Sequence, residues 1–543
     1  MTAAGDFDFI VIGAGSAGCV VAARLSESGR HRVLLLEAGG SDRSLWLRMP
    51  IGYGHSFHDP QVNWMYRTEP EAALHGREGY WPRGKVLGGS SSINAMVFVR
   101  GAPQDFDTWA AMGNPGWNWS DVLPWFRRLE DSERGSTPFR GTGGPLHVSD
   151  VTSEVHPLCH AFLAAGAEVG LPLSSDLNGA SCDGVGLYEI TTRRGRRESA
   201  STAYLRPAMR RSNLEVRLGA HATAIDFDSR RATGVRYLQQ GRLHIVKARR
   251  EVIVAAGAIA SPQLLQLSGV GPGPLLQSLG IGVVIDRPAV GKNLQDHLCI
   301  DHLYCARAAS LNEVFGSWFG RARIAIRYAA SRNGPLALSL NQAGGFVRSR
   351  AGLERPNLQL YFSPLSYTRS TPGRRALLRP DPHPGFLLSA QPCRPTSRGH
   401  LHIRSPDALQ APCIVPGSLS TDHDVEEMLE ATMFVRRLAA TRALSSVIES
   451  ESLPGDALQT ATQLLDDIRE RASTVFHPVS TCRMGPDAAT AVVDHELKVH
   501  GLTGIRVIDA SAFPTITSGN TNAPTLMLAE KGAALVLAEH RND

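Results

Sequence analysis

The feature that most constrains this chain lies at its start. Phe9-Ile10-Val11-Ile12 runs into Gly13-Ala14-Gly15-Ser16-Ala17-Gly18, then into the small-residue run Cys19 to Leu25, and is answered by Val33-Leu34-Leu35-Leu36-Glu37-Ala38-Gly39. A short apolar run bounded by glycines reads as a buried parallel strand, and the small-residue run reads as a helix. The Gly-x-Gly-x-x-Gly spacing assigns each glycine a task. Gly13 allows the turn, Gly15 lets backbone approach a pyrophosphate, and Gly18 lets helix and strand pack closely. The helix start, with Ser16 and Ala17, offers free N–H groups and a partial positive charge for phosphate. Glu37 closes the second strand where a carboxylate can accept from an adenosine ribose, with Ala38 beside it. The bland alternative is a glycine-rich βα turn without a ligand.

The chain has 543 residues and a formal charge of +5, long enough for more than one domain and too weakly basic to read as a nucleic-acid binder. Its eight cysteines form no Cys-x-x-Cys pair and no regular spacing, which argues against a disulfide framework or a zinc cluster, so no metal is expected. No leader pattern precedes the first strand and no run of about eighteen apolar residues occurs, so the expected location is cytoplasmic, with peripheral membrane contact left open.

Several further stretches carry signal. Gly88-Gly89-Ser90-Ser91-Ser92 puts small residues at a predicted helix start, suited to phosphate or a flat ring at close range. Aromatic-rich helical stretches fill 105 to 165, and a strand meander is predicted over Leu214 to Phe227, Ala232 to Leu238 and His244 to Ala255. Val252 to Gly257 reads as the start of a further buried strand. The region 300 to 420 is irregular, with short strands at Leu358 to Phe362, Gly385 to Ala390 and His400 to Arg404. Helical periodicity takes over from 421 to 472. Near the C-terminus Gly504 to Ser511 reads as a strand and an acidic turn, and Asn522 precedes Ala523-Pro524 as an ordinary helix N-cap would.

The run from Gly84 through Gly88-Gly89-Ser90-Ser91, Asn94, Phe98, Gly101 and Asp107 resembles the first signature of the glucose-methanol-choline oxidoreductase family of flavoproteins, and Gly257 to Gly271 resembles the second. The resemblance implies an α/β chain: a Rossmann-like FAD-binding domain (1–150, 206–300 and 473–543) and a substrate-binding α+β cap domain on an antiparallel sheet (151–205 and 301–472). It implies flavin-dependent oxidation of a primary alcohol to an aldehyde, with oxygen or a quinone as acceptor. His477, in Thr474-Val475-Phe476-His477-Pro478, falls where the family carries its catalytic histidine. A loop histidine before proline is not explained by helical patterning, and its ordinary pKa of about 6.5 leaves it partly neutral at pH 7, as a base requires. The family carries its second active-site residue, His or Asn, eight residues before the Glu of a Glu-Lys pair, so the resemblance implies Asn522, eight before Glu530-Lys531, as the hydrogen-bond donor to the substrate oxygen. The resemblance further implies that Gly88, Gly89 and Ser90 lie near pyrophosphate or flavin, that the backbone of Asn94, Ala95, Met96 and Val97 hydrogen-bonds the ring, and that Ala222 sits near the adenine, Asp509 and Ala510 near the ribityl chain, and Ala523 at the pyrimidine side of the ring.

Two departures shape the expectation. Trp81 stands where some relatives attach FAD through histidine, so non-covalent FAD is expected. No aromatic and carboxylate cage for a quaternary ammonium is legible in 300 to 400, so an uncharged alcohol is preferred over choline. Cys393-Arg394 resembles a pair found in the family's fatty-acid photodecarboxylases. That reading and a redox-silent flavin lyase are the alternatives. A serine hydrolase is disfavoured because Ser16 and Ser90 lack a Gly-x-Ser-x-Gly elbow.

Overall fold

A computed structural model describes residues 3–367 and 380–541. The opening motif folds as its pattern predicts: strand Ala3–Ile12, helix Ser16–Leu25 and strand Val33–Leu36. The two strands are parallel, in register from Phe9 opposite Val33 to Ile12 opposite Leu36. Leu214–Arg217 extends the sheet on one side; Arg242–Val254 and then Ile505–Val507 extend it on the other, all parallel. Phe9 to Ile12, Val33 to Leu36 and Val252 to Val254 are buried on both faces of the sheet, which is why they read as unbroken apolar runs.

The predicted meander exists, with two corrections. Leu214 to Phe227 is broken at Gly219 (φ +61°) into a strand of the parallel sheet and the separate strand Ala220–Asp228. His244 to Ala255 and the strand expected to start at Val252 are one strand, Arg242–Val254. Its first half pairs antiparallel with Arg231–Gln239, and Glu251 to Val254 lie beside Phe9 to Ile12. A single extended element thus joins meander and parallel sheet. The helix start expected at Gly88 is only a 3-10 turn, Gly89–Ser92.

The second sheet is antiparallel throughout, in the order Ala343–Val347, Leu358–Ser363, Gly385–Pro392, Leu298–Ala306, Ile448–Leu453. Strand alternation sorts its side chains cleanly. Leu358, Leu360, Phe362, Phe386, Leu388 and Ala390 pack in one core with Phe434 and Val435 of helix Asp422–Ala439 and Phe162 of helix Leu158–Glu168. The odd-numbered neighbours Asp301, Leu303, Tyr361, Leu387 and Ser389 face the opposite way and line a large cavity. Two of its strands fall where the short runs Leu358 to Phe362 and Gly385 to Ala390 are predicted, whereas Ala343–Val347, Leu298–Ala306 and Ile448–Leu453 were not read because their partners lie far apart along the chain. The irregular appearance of 300 to 420 also concealed the helix Trp318–Ser331. Among the described residues no helix is long and apolar enough to cross a membrane.

A buried charge cluster ties the segments before and after residue 150. Arg140, fully buried, donates to Glu130 (2.6 and 2.9 Å), Glu189 (2.7 Å) and Asp176 (2.7 Å). Arg100 also pairs with Glu130 and Arg134 with Glu189 (3.0 Å), but among the described residues Arg140 alone bridges the two carboxylates, and breaking such a buried cluster from one side costs about 3–5 kcal/mol. Arg140→Met should therefore lower the denaturant midpoint markedly; an unchanged midpoint would show that the cluster contributes nothing.

Candidate active site

The glycines build a cradle from two loops. Gly13 sits at φ +94°, and a Cβ on it would lie 2.7 Å from the Ala255 carbonyl oxygen. A Cβ on Gly18 would lie 1.8 Å from the Gly13 carbonyl oxygen, so Gly18 serves close packing and does not line the cavity. The second loop crosses the first: the Gly88 N–H donates to the Ala14 carbonyl (2.8 Å), and a Cβ on Gly89 would come within 2.6 Å of the Gly15 Cα. At Gly15 the space is open, with the nearest protein atom to a built Cβ 4.0 Å away. Glu37 accepts from the N–H groups of Ala14 (2.8 Å) and Gly39 (2.7 Å). Burial pushes its carboxyl up to about 7. Two of its roughly four acceptor positions are thereby used, leaving two for a ribose.

One continuous cavity of about 780 Å³ runs from this cradle to the second sheet. Gly13, Gly15, Ser16, Ala17, Glu37, Ala38, Gly89, Ser90, Asn94 to Val97, Ala222, Asp509 and Ala510 line it, as do His477 and Asn522. Gly88 and Ala523 do not. Asp509 lines the wall with its carboxylate fully engaged: Oδ2 accepts from Gly257 N–H (2.8 Å) and Ser261 Oγ (2.5 Å), and Oδ1 from Ser511 N–H (2.8 Å) and Ser511 Oγ (2.5 Å). Asn94 is committed through Oδ1 to Arg197 (2.8 Å) and the Met96 N–H (3.1 Å), and Met96 adopts φ +63°.

At the far end His477 is buried between two polar partners. Its Nδ1 lies 3.0 Å from His297 Nδ1, and His297 Nε2 lies 2.9 Å from the Cys393 carbonyl oxygen. A carbonyl only accepts, so His297 carries its proton on Nε2. Burial pushes His297 down to about 4, so at neutral pH its Nδ1 holds a lone pair. His477 must therefore donate from Nδ1, which leaves its Nε2 unprotonated and facing the cavity. Burial, then His297 and Arg83, hold His477 well below the ordinary histidine range. The loop is clamped in a costly shape: Phe476 adopts φ +71°, its carbonyl accepts from Arg83 Nη2 (2.6 Å), and the His477 N–H donates to Asp296 Oδ1 (2.7 Å).

The amide that meets His477 Nε2 belongs to Asn520, with Nδ2 at 3.2 Å. Its orientation is dictated from the second sheet. Gln359 Oε1 accepts from Tyr361 Oη (2.9 Å) and Gln391 Nε2 (2.9 Å), so Gln359 Nε2 donates to Asn520 Oδ1 (3.2 Å) and turns Nδ2 toward the histidine. The expectation for Asn522 is corrected here. Asn522 is the first residue of helix Asn522–Glu539, with Thr521 at the N-cap position, and its Oδ1 accepts from Ser16 Oγ (2.8 Å). It ties the C-terminal helix to the glycine loop and makes no hydrogen bond to His477. Asn520, His297, Asp296, Arg83 and Gln359 were not singled out from the sequence; the signal available was the polar run Gln295-Asp296-His297 ahead of an apolar strand, and a second asparagine two positions before Asn522.

Two GMC oxidoreductase family profiles match the chain, over residues 7–299 and 395–529. The chain belongs to the GMC oxidoreductase family. It is 42% identical over 534 residues to an oxygen-dependent choline dehydrogenase of Vibrio vulnificus (strain YJ016), covering 98% of this chain and 94% of the relative. It is 40% identical over 535 residues to an alcohol dehydrogenase [acceptor] of Pseudomonas putida, covering 98% and 96%. Among solved structures, pyridoxine 4-oxidase from Mesorbium loti superposes with a TM-score of 0.88 at 32% identity, covering 99% of each chain. Within this GMC oxidoreductase, neither Cys393 nor Arg394 lines the cavity. Arg394 donates to Ser518 Oγ (3.1 Å) and the Pro356 carbonyl (2.8 Å), and burial pushes the Cys393 thiol up. Asp301 and Tyr361, by contrast, do line it, so a carboxylate and an aromatic share one wall.

The tautomers are checkable. Nitrogen-15 spectra of histidine-labelled protein, with His477→Ala and His297→Leu for assignment, should show His477 protonated on Nδ1 and His297 on Nε2. The reverse assignment would remove the orientation derived for the pair.

Proposed function

We propose that the chain is an FAD-dependent oxidoreductase that converts a primary alcohol to an aldehyde, with His477 as base and Asn520 as the donor to the substrate oxygen. The observation that carries this reading is the His477 Nε2 and Asn520 Nδ2 pair, 3.2 Å apart at the cavity wall, a lone pair beside an N–H. An alcohol oxygen placed there loses its proton to Nε2 while the amide stabilises the charge growing on oxygen.

The residues fit FAD. Open space at Gly15 and the Gly15–Gly89 crossing leave room for a pyrophosphate against bare backbone, and the N-terminus of helix Ser16–Leu25 supplies N–H groups to it. Glu37 would take the ribose, Ala222 would lie at the adenine, and the left-handed Met96 segment and Ala510 would lie along the flavin. Trp81, buried and lining the cavity, offers no imidazole for a covalent link, which supports non-covalent binding. When bound, the flavin supplies the hydride acceptor. In domain terms, 1–150, 206–300 and 473–543 would hold the cofactor, and 151–205 with 301–472 the substrate.

An uncharged primary alcohol is the first reading for the substrate. Choline is the second, favoured by Asp301 and Tyr361 on the cavity wall and by the names of the relatives. Decarboxylation is disfavoured by the placement of Cys393 and Arg394 away from the cavity.

His477→Ala should lower kcat/KM by about 10² to 10⁴ with flavin retained, and Asn520→Ala by about 10² to 10³. Anaerobic bleaching of the yellow protein against choline and a panel of uncharged alcohols measures both; bleaching at the wild-type rate in His477→Ala would refute the base. The pH dependence has a definite sign. The base works neutral, and its pKa is depressed, so kcat/KM should stay flat from about pH 8 down through about 6.5, the ordinary histidine value, and fall only in more acid solution. A loss centred at the ordinary value would contradict the burial argument.

A further inference from the structure

Helix Trp119–Leu129 buries Val122, Phe126 and Leu129 along one side, as a surface helix should, but the helix Trp318–Ser331 departs from that pattern. Its inward side holds Ile324 and Tyr328, both buried. Facing solvent are Trp318 (78% exposed), Phe319 (73%) and Ile326 (69%), the three most exposed large apolar side chains among the described residues. At 100° per residue, Trp318, Ala322, Phe319, Ala325, Ile326, Ala329 and Ala330 fall on one arc, so the outer face carries no polar side chain. Charge is confined to the borders: Arg323 and Arg327 on one side, Arg321 on the other, with no acidic residue from 318 to 332.

The basic border continues beyond the helix. The Arg332 guanidinium stacks over the Tyr328 ring (5.0 Å), Tyr328 Oη donates to the Gly195 carbonyl (2.9 Å), and the exposed Arg194 and Arg196 flank that glycine. The acids that reach this region are engaged. Glu154 pairs with Arg327 (3.0 Å), and Glu313 accepts from the Ser310 N–H (2.9 Å). An ordinary surface helix places its charges outward and its apolar stripe inward; this one has apolar residues on both and arginines between.

We infer that this helix docks on an anionic lipid surface, with Trp318, Phe319 and Ile326 entering the headgroup and acyl boundary and Arg321 and Arg323 pairing with lipid phosphates. Tryptophan beside arginine is the composition that suits such an interface, and a one-signed basic border is complementary to anionic headgroups. A second copy of the chain is the weaker occupant, because two-fold pairing would bring the arginine border against itself.

The test is flotation of the full-length holoprotein with phosphatidylcholine vesicles, pure or containing about one-third phosphatidylglycerol. Wild type should bind the anionic vesicles at least about tenfold better than the neutral ones. Trp318→Ser/Phe319→Ser/Ile326→Ser should weaken anionic-vesicle binding by about 100-fold or more, with circular dichroism and thermal midpoint unchanged. Arg321→Gln/Arg323→Gln should remove the preference for anionic vesicles, and carries the test if the apolar variant misfolds. Absence of wild-type binding to either vesicle would overturn the inference. So would a wild-type dimer by light scattering that the apolar variant turns to monomer while vesicle binding is unaffected.

Discussion

Two imidazoles buried against each other, with no carboxylate among the described residues hydrogen-bonded to either ring, admit one economical arrangement of protons, and the far end of the cavity depends on it. Charging either ring would place an unpaired cation out of water, so both stay neutral and each N–H must find an acceptor. The Cys393 carbonyl takes the first, His297 Nδ1 takes the second, and the lone pair left over on His477 Nε2 faces the cavity. The same end point is reached from the other side, where Tyr361 and Gln391 fix Gln359 and Gln359 fixes Asn520. Two independent chains of hydrogen bonds converge on one lone pair, which is a stronger constraint than either alone.

The fold exists to bring those chains together. His297 precedes the strand Leu298–Ala306, Cys393 follows the strand Gly385–Pro392, and Gln359 lies within Leu358–Ser363; these three strands are neighbours in the second sheet. His477 and Asn520 come from loops that return to the parallel sheet and the C-terminal helix. The strain at Phe476 is borne by Arg83, which stands just before the second glycine loop, so the loop of His477 and the cradle share a support.

What the sequence disclosed follows the range of the interactions. The opening strand, helix and strand were legible to within a few residues because the glycine spacing and apolar runs act locally. His477, which lines the cavity, could be singled out because a motif surrounds it. The asparagine that meets it in space lies two residues before the one expected: Asn520 precedes the helix and reaches His477, while Asn522 opens the helix and reaches Ser16. His297 meets His477 across 180 residues, and no local pattern records such a contact. The second sheet was half-read for the same reason, its strands short and its pairings distant.

The helix Trp318–Ser331 escaped notice for a different reason, which bears on how surface and site relate. A pattern search looks for one apolar stripe, and this helix has apolar residues on nearly every side. Its inward residue Tyr328 belongs to the same packed cluster as Tyr53 and Phe57, against which Phe476 rests, with the Phe57 and Phe476 rings 5.3 Å apart. The next residue is His477. A helix held on lipid by its outer face would therefore share one packed cluster with the segment that precedes His477. Because protein interiors are close-packed, displacement of that helix would be felt at Phe476 sooner than at the glycine cradle, whose contacts run through the parallel sheet instead.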